Sequence, residues 1–497
     1  MSLYMKYTIF TSIVLLFIVS CNDSNERKIS PVHSKNFDTL TTYEELQDFI
    51  NLVSTKKKYI KYKVGGISEE NREIPLLEIY GAISDTANLM DILIVAQQHG
   101  DEPAGKEGVT YYIEQLANNE IELPKNIRLI VMPCINPDGA EIDQRTNIND
   151  VDLNRDHVTL YTSEIQTLHK VFQSYLPEVA IDIHEYEYYS KFYEKWGYYK
   201  NTDILVGGLT NPNVDKKLIG LFYEKILPNA GNALTKKGYS YGEYMLGEPF
   251  VGKVMGTSTV NIFDGRQSLG IMGTLSMIVE GRYGLNSNDN LQRRTKSQYE
   301  ILKGIIENCA INARQIQKAV HGAREKIIND DSVYVDIRYT REKSKKPYHY
   351  KMVSKSSGND TVFIIKGFYP KVSAVDSVRK PEGYLVAASD TNLVSWLNRN
   401  QVHYTDYTDD GDEIYQNVIK NKKQLVNMEG TTYWNVLTSK KKIEDISNKK
   451  YLFVPTNQLQ SFKLIISLEP ESELALHNYK EFTYLLDHNI YPIYRIE

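Results

Sequence analysis

Cysteine is scarce, with three in 497 residues. Cys134 and Cys309 fall in stretches that read as a strand and a helix, and Cys21 stands near the amino end, so no disulfide framework is implied. The uncharged run Thr8–Ser20 is too short for a comfortable membrane span and has the length of a secretory h-region. Charge of one sign is not in large excess either: a net −5 argues against a nucleic-acid partner. No internal repeat is present. Tyrosine, by contrast, is plentiful at 37 residues. Tyr186, Tyr188, Tyr189, Tyr193, Tyr198 and Tyr199 crowd one segment, where their rings offer stacking surface for a sugar or a peptide as well as ordinary packing.

Four apolar runs are continuous rather than alternating, the pattern of strands covered on both faces. They are Asp91–Gln98, Asn126–Ile135, Glu178–Ile183 and Thr274–Val279. Helical spacing covers Ala104–Asn118, Ser163–Tyr175, Val214–Lys237 and a long stretch Leu291–Ile328. Strands alternating with helices predict an α/β/α sandwich on a mixed, mainly parallel sheet. Ligands of such sheets sit beyond the carboxyl ends of the strands.

Chemistry-bearing words follow those ends. His99-Gly-Asp-Glu102 comes after the first strand, Asn136-Pro-Asp-Gly139 after the second, Asp182-Ile-His184 closes the third and Glu280 the fourth, while Asp152-Leu-Asn-Arg155 lies between. His99 and Glu102 are close enough in sequence to face one ion, with His184 as a third ligand from a neighbouring strand. Three protein ligands leave a fourth zinc position open for water, the catalytic arrangement. Glu280 is the expected general base, and Asp152 a carboxylate behind His99 that fixes its tautomer. Arg145 and Arg155 supply positive charge for an oxyanion and for a substrate carboxylate. Taken singly, His184 is equally a satisfied buried histidine, Glu280 a strand-capping charge and the arginines a solvated loop face.

Together these words resemble the zinc carboxypeptidases of the A/B type over about residues 40–325. The resemblance rests on HGDE at 99–102, NPDG at 136–139, RTNINDVDLNR at 145–155, DIHEY at 182–186 and VEGR at 279–282. It implies one Zn2+ per chain on His99, Glu102 and His184, Glu280 as base and Arg145 as the carbonyl-polarising arginine. It further implies that Asn154 and Arg155, the latter buried, clamp the free C-terminal carboxylate of a peptide, and that Tyr186 is a subsite residue. The mobile tyrosine that digestive members carry about twenty residues before the base has no counterpart in Met255–Thr259. Tyr241, Tyr244 and Tyr283 are candidates for its place, and Asp264 and Arg266 for selecting the substrate side chain. The implied activity is a metallocarboxypeptidase. Its rivals are an N-acyl amino-acid hydrolase of the aspartoacylase type, a peptidoglycan peptidase and a non-catalytic surface binding protein.

The amino end reads as an address. Thr8–Ser20 runs into Ile18-Val-Ser-Cys21, which resembles a lipobox, so Cys21 becomes the lipidated first residue of an exported bacterial lipoprotein, held on the outer membrane facing the periplasm or the cell surface. The expected organisation is a signal peptide at 1–20, a tether at 21–39, a catalytic domain at 40–328 and a smaller C-terminal α+β domain at 329–497. In the last region Val333–Tyr339, Thr361–Gly367, Gly383–Ala387, Val402–Tyr407 and Tyr451–Gln458 read as strands, Lys343–Asp360 as a basic turn-rich stretch and Asn392–Asn400 as a helix.

Overall fold

The computed structural model describes residues 28–497 except 83–88, 188–194, 248–253, 410, 428–430, 445 and 447–449. Cys21, the run Thr8–Ser20, and Tyr188, Tyr189 and Tyr193 lie outside the described residues.

Eight strands form the central sheet: β1 (Ile60–Ile67), β2 (Glu73–Tyr80), β3 (Met90–Ala96), β4 (Ile127–Met132), β5 (Val179–Tyr186), β6 (Ile204–Gly207), β7 (Tyr241–Glu243) and β8 (Leu275–Arg282). Their order is β1-β2-β4-β3-β5-β8-β6-β7. The central run β4-β3-β5-β8 is parallel, as is the β6-β7 pair, whereas β1-β2, β2-β4 and β8-β6 are antiparallel. The sheet is thus mixed and mainly parallel, with helices on both faces.

Alternation along β3 explains why the apolar runs are continuous. Ile92, Ile94 and Ala96 enter a core with Phe49 and Ile50 of the helix Tyr43–Lys56, Val109 and Ile113 of Ala104–Ala117, and Ile301 and Ile305 of Leu291–Ile311. Leu93 and Val95 enter a second core with Leu168 and Phe172 of the helix Ser163–Tyr175. Each face needs its own apolar residues, so every position of β3 except Asp91 is apolar. The helix Ala104–Ala117 is buried along its whole length. It lies so near Leu291–Ile311 that a Cβ on Gly108 would stand 2.7 Å from Gln298 Cβ.

Two expected helices are broken. Leu291–Ile328 divides into Leu291–Ile311 and Ala313–Asn329 at Asn312, whose φ of −100° and ψ of 11° leave the helical range. Within Val214–Lys237 the turn Phe222–Ile226 is a π-helix directly before Leu227–Lys236. Pro228 has no N–H to continue the ladder, and the widened turn absorbs that loss. Strands β5 and β8 also run further than expected, carrying His184 and Glu280 inside the ladder rather than beyond it.

Beyond Asn329 the chain builds a six-stranded sheet in the order Thr405–Asp406, Tyr451–Pro455, Gly383–Ala387, Ile490–Ile496, Ile414–Val426, Thr432–Ile443. The stretch read as turn-rich contains a strand, Tyr348–Ser354, which pairs with Asp360–Ile365. Its apolar members Met352 and Val353 are buried, and the intervening lysines had masked them. This region is joined closely to the rest of the chain. Tyr348–Ser354 also pairs with Tyr198–Tyr199, and Phe368–Tyr369 pairs with Met255–Gly256. On the helix Thr391–Arg399, capped by Asp390, the residues Leu393, Trp396 and Leu397 share one buried face. Trp396 is fully buried in the core that also contains Val109 and Ile301, and its Nε1 donates to Val158 O at 2.8 Å.

Trp396→Ala should therefore destabilise the whole chain by about 3–5 kcal/mol, the range for truncating a buried aromatic, in a single urea transition. A loss below about 1 kcal/mol, or a separate early transition of the C-terminal region, would contradict the shared core.

Candidate metal centre and active site

The loop carrying the first two candidate ligands is shaped at the end of β3. Gln97 adopts a left-handed φ of 55°, which turns the chain out of the strand, and its Nε2 donates to Gly100 O at 2.8 Å. Gly100 packs on the backbone of Gly139, where any Cβ would fall 2.1 Å from Gly139 C. That contact couples the His-Gly and Asn-Pro-Asp-Gly words. Asn136 secures it by donating to Gln98 O (3.0 Å) and accepting from Gly139 N (3.0 Å).

His99 and Glu102 then meet His184, which arrives from β5. His99 Nδ1 is 2.7 Å from Glu102 Oε1, His184 Nδ1 is 2.8 Å from Glu102 Oε2, and the two Nδ1 atoms are 3.1 Å apart. The opposite ring nitrogens face carboxylates: His99 Nε2 donates to Asp152 Oδ1 (3.0 Å), and His184 Nε2 lies 3.1 Å from Asp182 Oδ1. With Nε2–H engaged, the neutral rings present Nδ1 lone pairs to one another and to Glu102, an arrangement that a cation satisfies. The three ligand atoms lie within 4.8 Å of one another, and all three residues are buried. The donor set fits one zinc ion.

The electrostatics agree. Burial disfavours charge on both imidazoles, yet the surrounding carboxylates outweigh it and hold His99 above, and His184 well above, the ordinary histidine range. Burial likewise works against the Glu102 carboxylate, but the two rings hold it well below the ordinary range. A field that favours protons here favours a metal dication too, so zinc competes with protons and binds less tightly as pH falls.

Glu280 on β8 is the register partner of His184 on β5. It lines a cavity of about 540 Å3 together with His99, Glu102, Arg145, Asn154 and Arg155. Burial pushes its carboxyl up to about 7, the range of a general base at neutral pH. Arg145 is exposed and bridges Asp152 and the ligand cluster: Nε donates to Asp152 Oδ2 at 3.0 Å, and Nη1 lies 3.3 Å from Glu102 Oε1.

The expected carboxylate clamp is arranged differently from the expectation. Arg155 is exposed, not buried, lying over the Phe263 ring at 5.0 Å with Nη1 donating to Asn154 O at 2.7 Å. Asn154 is buried, its Oδ1 accepting from Gly265 N (2.8 Å) and its Nδ2 3.3 Å from His184 Nε2. Tyr186 lines the cavity but donates its hydroxyl to Thr202 O. Asp264 lines the cavity and pairs with the buried Arg266 at 3.1 Å. Of the substitute tyrosines, Tyr244 and Tyr283 line the cavity, whereas Tyr241 packs its ring on Gly231.

Several contributors had no role assigned to them from the sequence. Asp182 had a usable signal, because residues two apart on a strand share a face and a carboxylate two before a histidine ligand can reach its back. Glu185 had none. It is fully enclosed by Arg294, which donates from Nε and Nη2 at 2.8 Å each, and by Ala104 N at 2.9 Å. Gln98, His157 and Gln298 likewise reach the site only through the fold.

Comparison with known proteins places this geometry. Residues 46–204 match the zinc carboxypeptidase family. Carboxypeptidase 2 of Trichophyton rubrum is 23% identical over 308 residues, 60% of this chain and 57% of that protein, so the chain spans a little over half the length of such a relative. Carboxypeptidase SOL1 of Arabidopsis thaliana is 40% identical over 68 residues, 12% of this chain and 14% of that protein. Among solved structures, a metallo-carboxypeptidase from Burkholderia cenocepacia superposes with a TM-score of 0.43 and 17% identity, covering 55% of this chain and 69% of that one. The segment that matches the zinc carboxypeptidase family runs through His99, Glu102 and His184.

Proposed function

We propose that the chain is a zinc metallocarboxypeptidase that removes the C-terminal residue of peptides bearing a free carboxylate. The observation that carries this reading is the convergence of His99, Glu102 and His184 beside a cavity that His99 and Glu102 line together with Glu280, Arg145 and Arg155. His99, Glu102 and His184 would hold the ion, which when bound polarises the scissile carbonyl and acidifies a water. Glu280 takes the proton of the attacking water and returns it to the leaving amine. Arg145 offers Nη1 to the oxygen that gains charge, while Asp152 steadies both Arg145 and the His99 ring. Arg155, with Asn154 beside it, pairs with the substrate carboxylate. Tyr186, Tyr244 and Tyr283 bound the space for the substrate chain.

A second proposal concerns the address. Cys21 after Ile18-Val-Ser is lipidated and anchors an exported protein at a bacterial outer membrane. Cys21→Ser should shift mature protein from the membrane fraction to the soluble fraction or stall its processing. Mature protein still on the membrane would refute the anchor.

The activity is tested with one peptide made as free acid and as C-terminal amide. The acid should lose one residue, and the amide should be cut about 10- to 100-fold more slowly, the worth of one charge-assisted contact at an exposed arginine. Arg155→Ala should shrink that preference, and Glu280→Gln should lower turnover of the acid by about 10²- to 10⁴-fold. Equal cleavage of acid and amide would refute the carboxypeptidase reading. Hydrolysis confined to N-acyl amino acids would favour the aspartoacylase-like alternative, and zinc-loaded protein inert on every substrate would favour a binding protein.

A further inference from the structure

Behind His184 lies a buried file of polar side chains that the reaction does not use. Gln98 Nε2 donates to Asp182 Oδ1 at 2.8 Å, Gln98 Oε1 is 2.9 Å from His157 Nε2, and His157 Nδ1 is 3.0 Å from His169 Nε2. All are buried. With neutral rings their hydrogen-bond roles can be assigned in only one way. A carboxylate accepts only, so Gln98 turns its NH2 to Asp182 and leaves its oxygen for His157. His157 must then carry its proton on Nε2. As a neutral ring its Nδ1 is bare and accepts from Nε2–H of His169. Burial supports neutrality, pushing His157 down to about 3 and His169 well below the usual range. Every donor in the file points toward Asp182, whose Oδ1 lies 3.1 Å from His184 Nε2.

The backbone under this file is held from the far end of the sequence. Lys463, on the helix Ser461–Leu468, donates its buried Nζ to His157 O at 2.6 Å, and Ser268 Oγ donates to the same oxygen at 3.2 Å. Trp396 and Asn400 donate to the next carbonyl, Val158 O, at 2.8 and 3.4 Å. The His157 ring also fills the space over Gly265, where a Cβ would stand 2.8 Å from its Nε2. Residues 157 and 158 lie two and three positions past the Asp152-Leu-Asn-Arg word, so the same anchorage bears on the segment of Asp152, which holds the other histidine ligand.

We propose that the C-terminal region is a positioning element of the metal centre, with Lys463 seating His157 so that the file His169–His157–Gln98–Asp182 fixes the His184 tautomer that presents Nδ1 to zinc. This rests on the metal reading of the triad, not on the peptide specificity. Partners behind metal-ligating histidines typically contribute 10- to 100-fold to metal affinity.

The test uses the full chain and two variants, His157→Phe, which keeps the ring, and Lys463→Met, which keeps the stem. Zinc affinity is measured by chelator competition, and the melting temperature of the zinc-free protein is measured alongside. Both variants should remain folded and bind zinc about tenfold more weakly or worse. In the unaltered zinc-free protein, 15N NMR should find His157 and His169 neutral with the proton on Nε2 at neutral pH, a readout that needs no variant to fold. Unchanged zinc affinity in folded His157→Phe, or a charged or Nδ1-protonated His157, would overturn the proposal. Weaker zinc binding in His157→Phe but not in folded Lys463→Met would overturn the part assigned to the C-terminal region. Failure of zinc to bind the unaltered chain at all would instead overturn the metal reading beneath it.

Discussion

Two imidazole lone pairs facing one another across 3.1 Å, with a carboxylate between them, require a positive charge. Much of the fold serves that requirement. The rings cannot rotate away because Asp152 and Asp182 hold their far nitrogens. Glu102 cannot withdraw because its Oε2 also accepts from Glu185 N at 3.0 Å. Glu185 is fixed in turn by the fork of Arg294, and His184 O accepts from Gln298 on the same helix. The three ligands are thus locked before any ion arrives, so little ordering entropy opposes its binding.

Glu280 belongs to the same arrangement. It comes from the strand next to His184, in register with it, and enters the cavity with no further loop to place it. Parallel pairing of β5 and β8 accounts for this: both strands end at the same edge, which lies above neither core. Burial at that edge keeps the carboxyl near neutrality, while Arg145 and Arg155 stay at the exposed rim where a peptide end can meet them.

The sequence revealed the central strands because each carries a run of apolar residues serving both faces, and it revealed the ligands because they lie at or just past the ends of those runs. The outer strands β1, β2, β6 and β7 were harder to read, and the edge strand Ile60–Ile67 carries lysine and glycine among its apolar residues. The break at Asn312 and the π-turn before Pro228 were hidden by unbroken helical spacing on either side. Burial of Arg155 was expected from its charge partner alone, whereas its seat over Phe263 depends on a loop that local spacing does not report. Least legible was the support behind the site. Gln98, His157, His169 and Asp182 meet in one file only in the folded chain, and Lys463 reaches the His157 carbonyl from the far end of the sequence.

The most direct test of a zinc centre built from this triad is X-ray absorption at the zinc edge on the full chain loaded with one equivalent of metal. The account predicts a low coordination number with two imidazole nitrogens at about 2.0–2.1 Å and carboxylate or water oxygens at about 2.0–2.2 Å. Loss of one imidazole shell in His184→Ala would identify its source. A sulfur shell near 2.3 Å, an all-oxygen shell, or a spectrum unchanged by His184→Ala would contradict it.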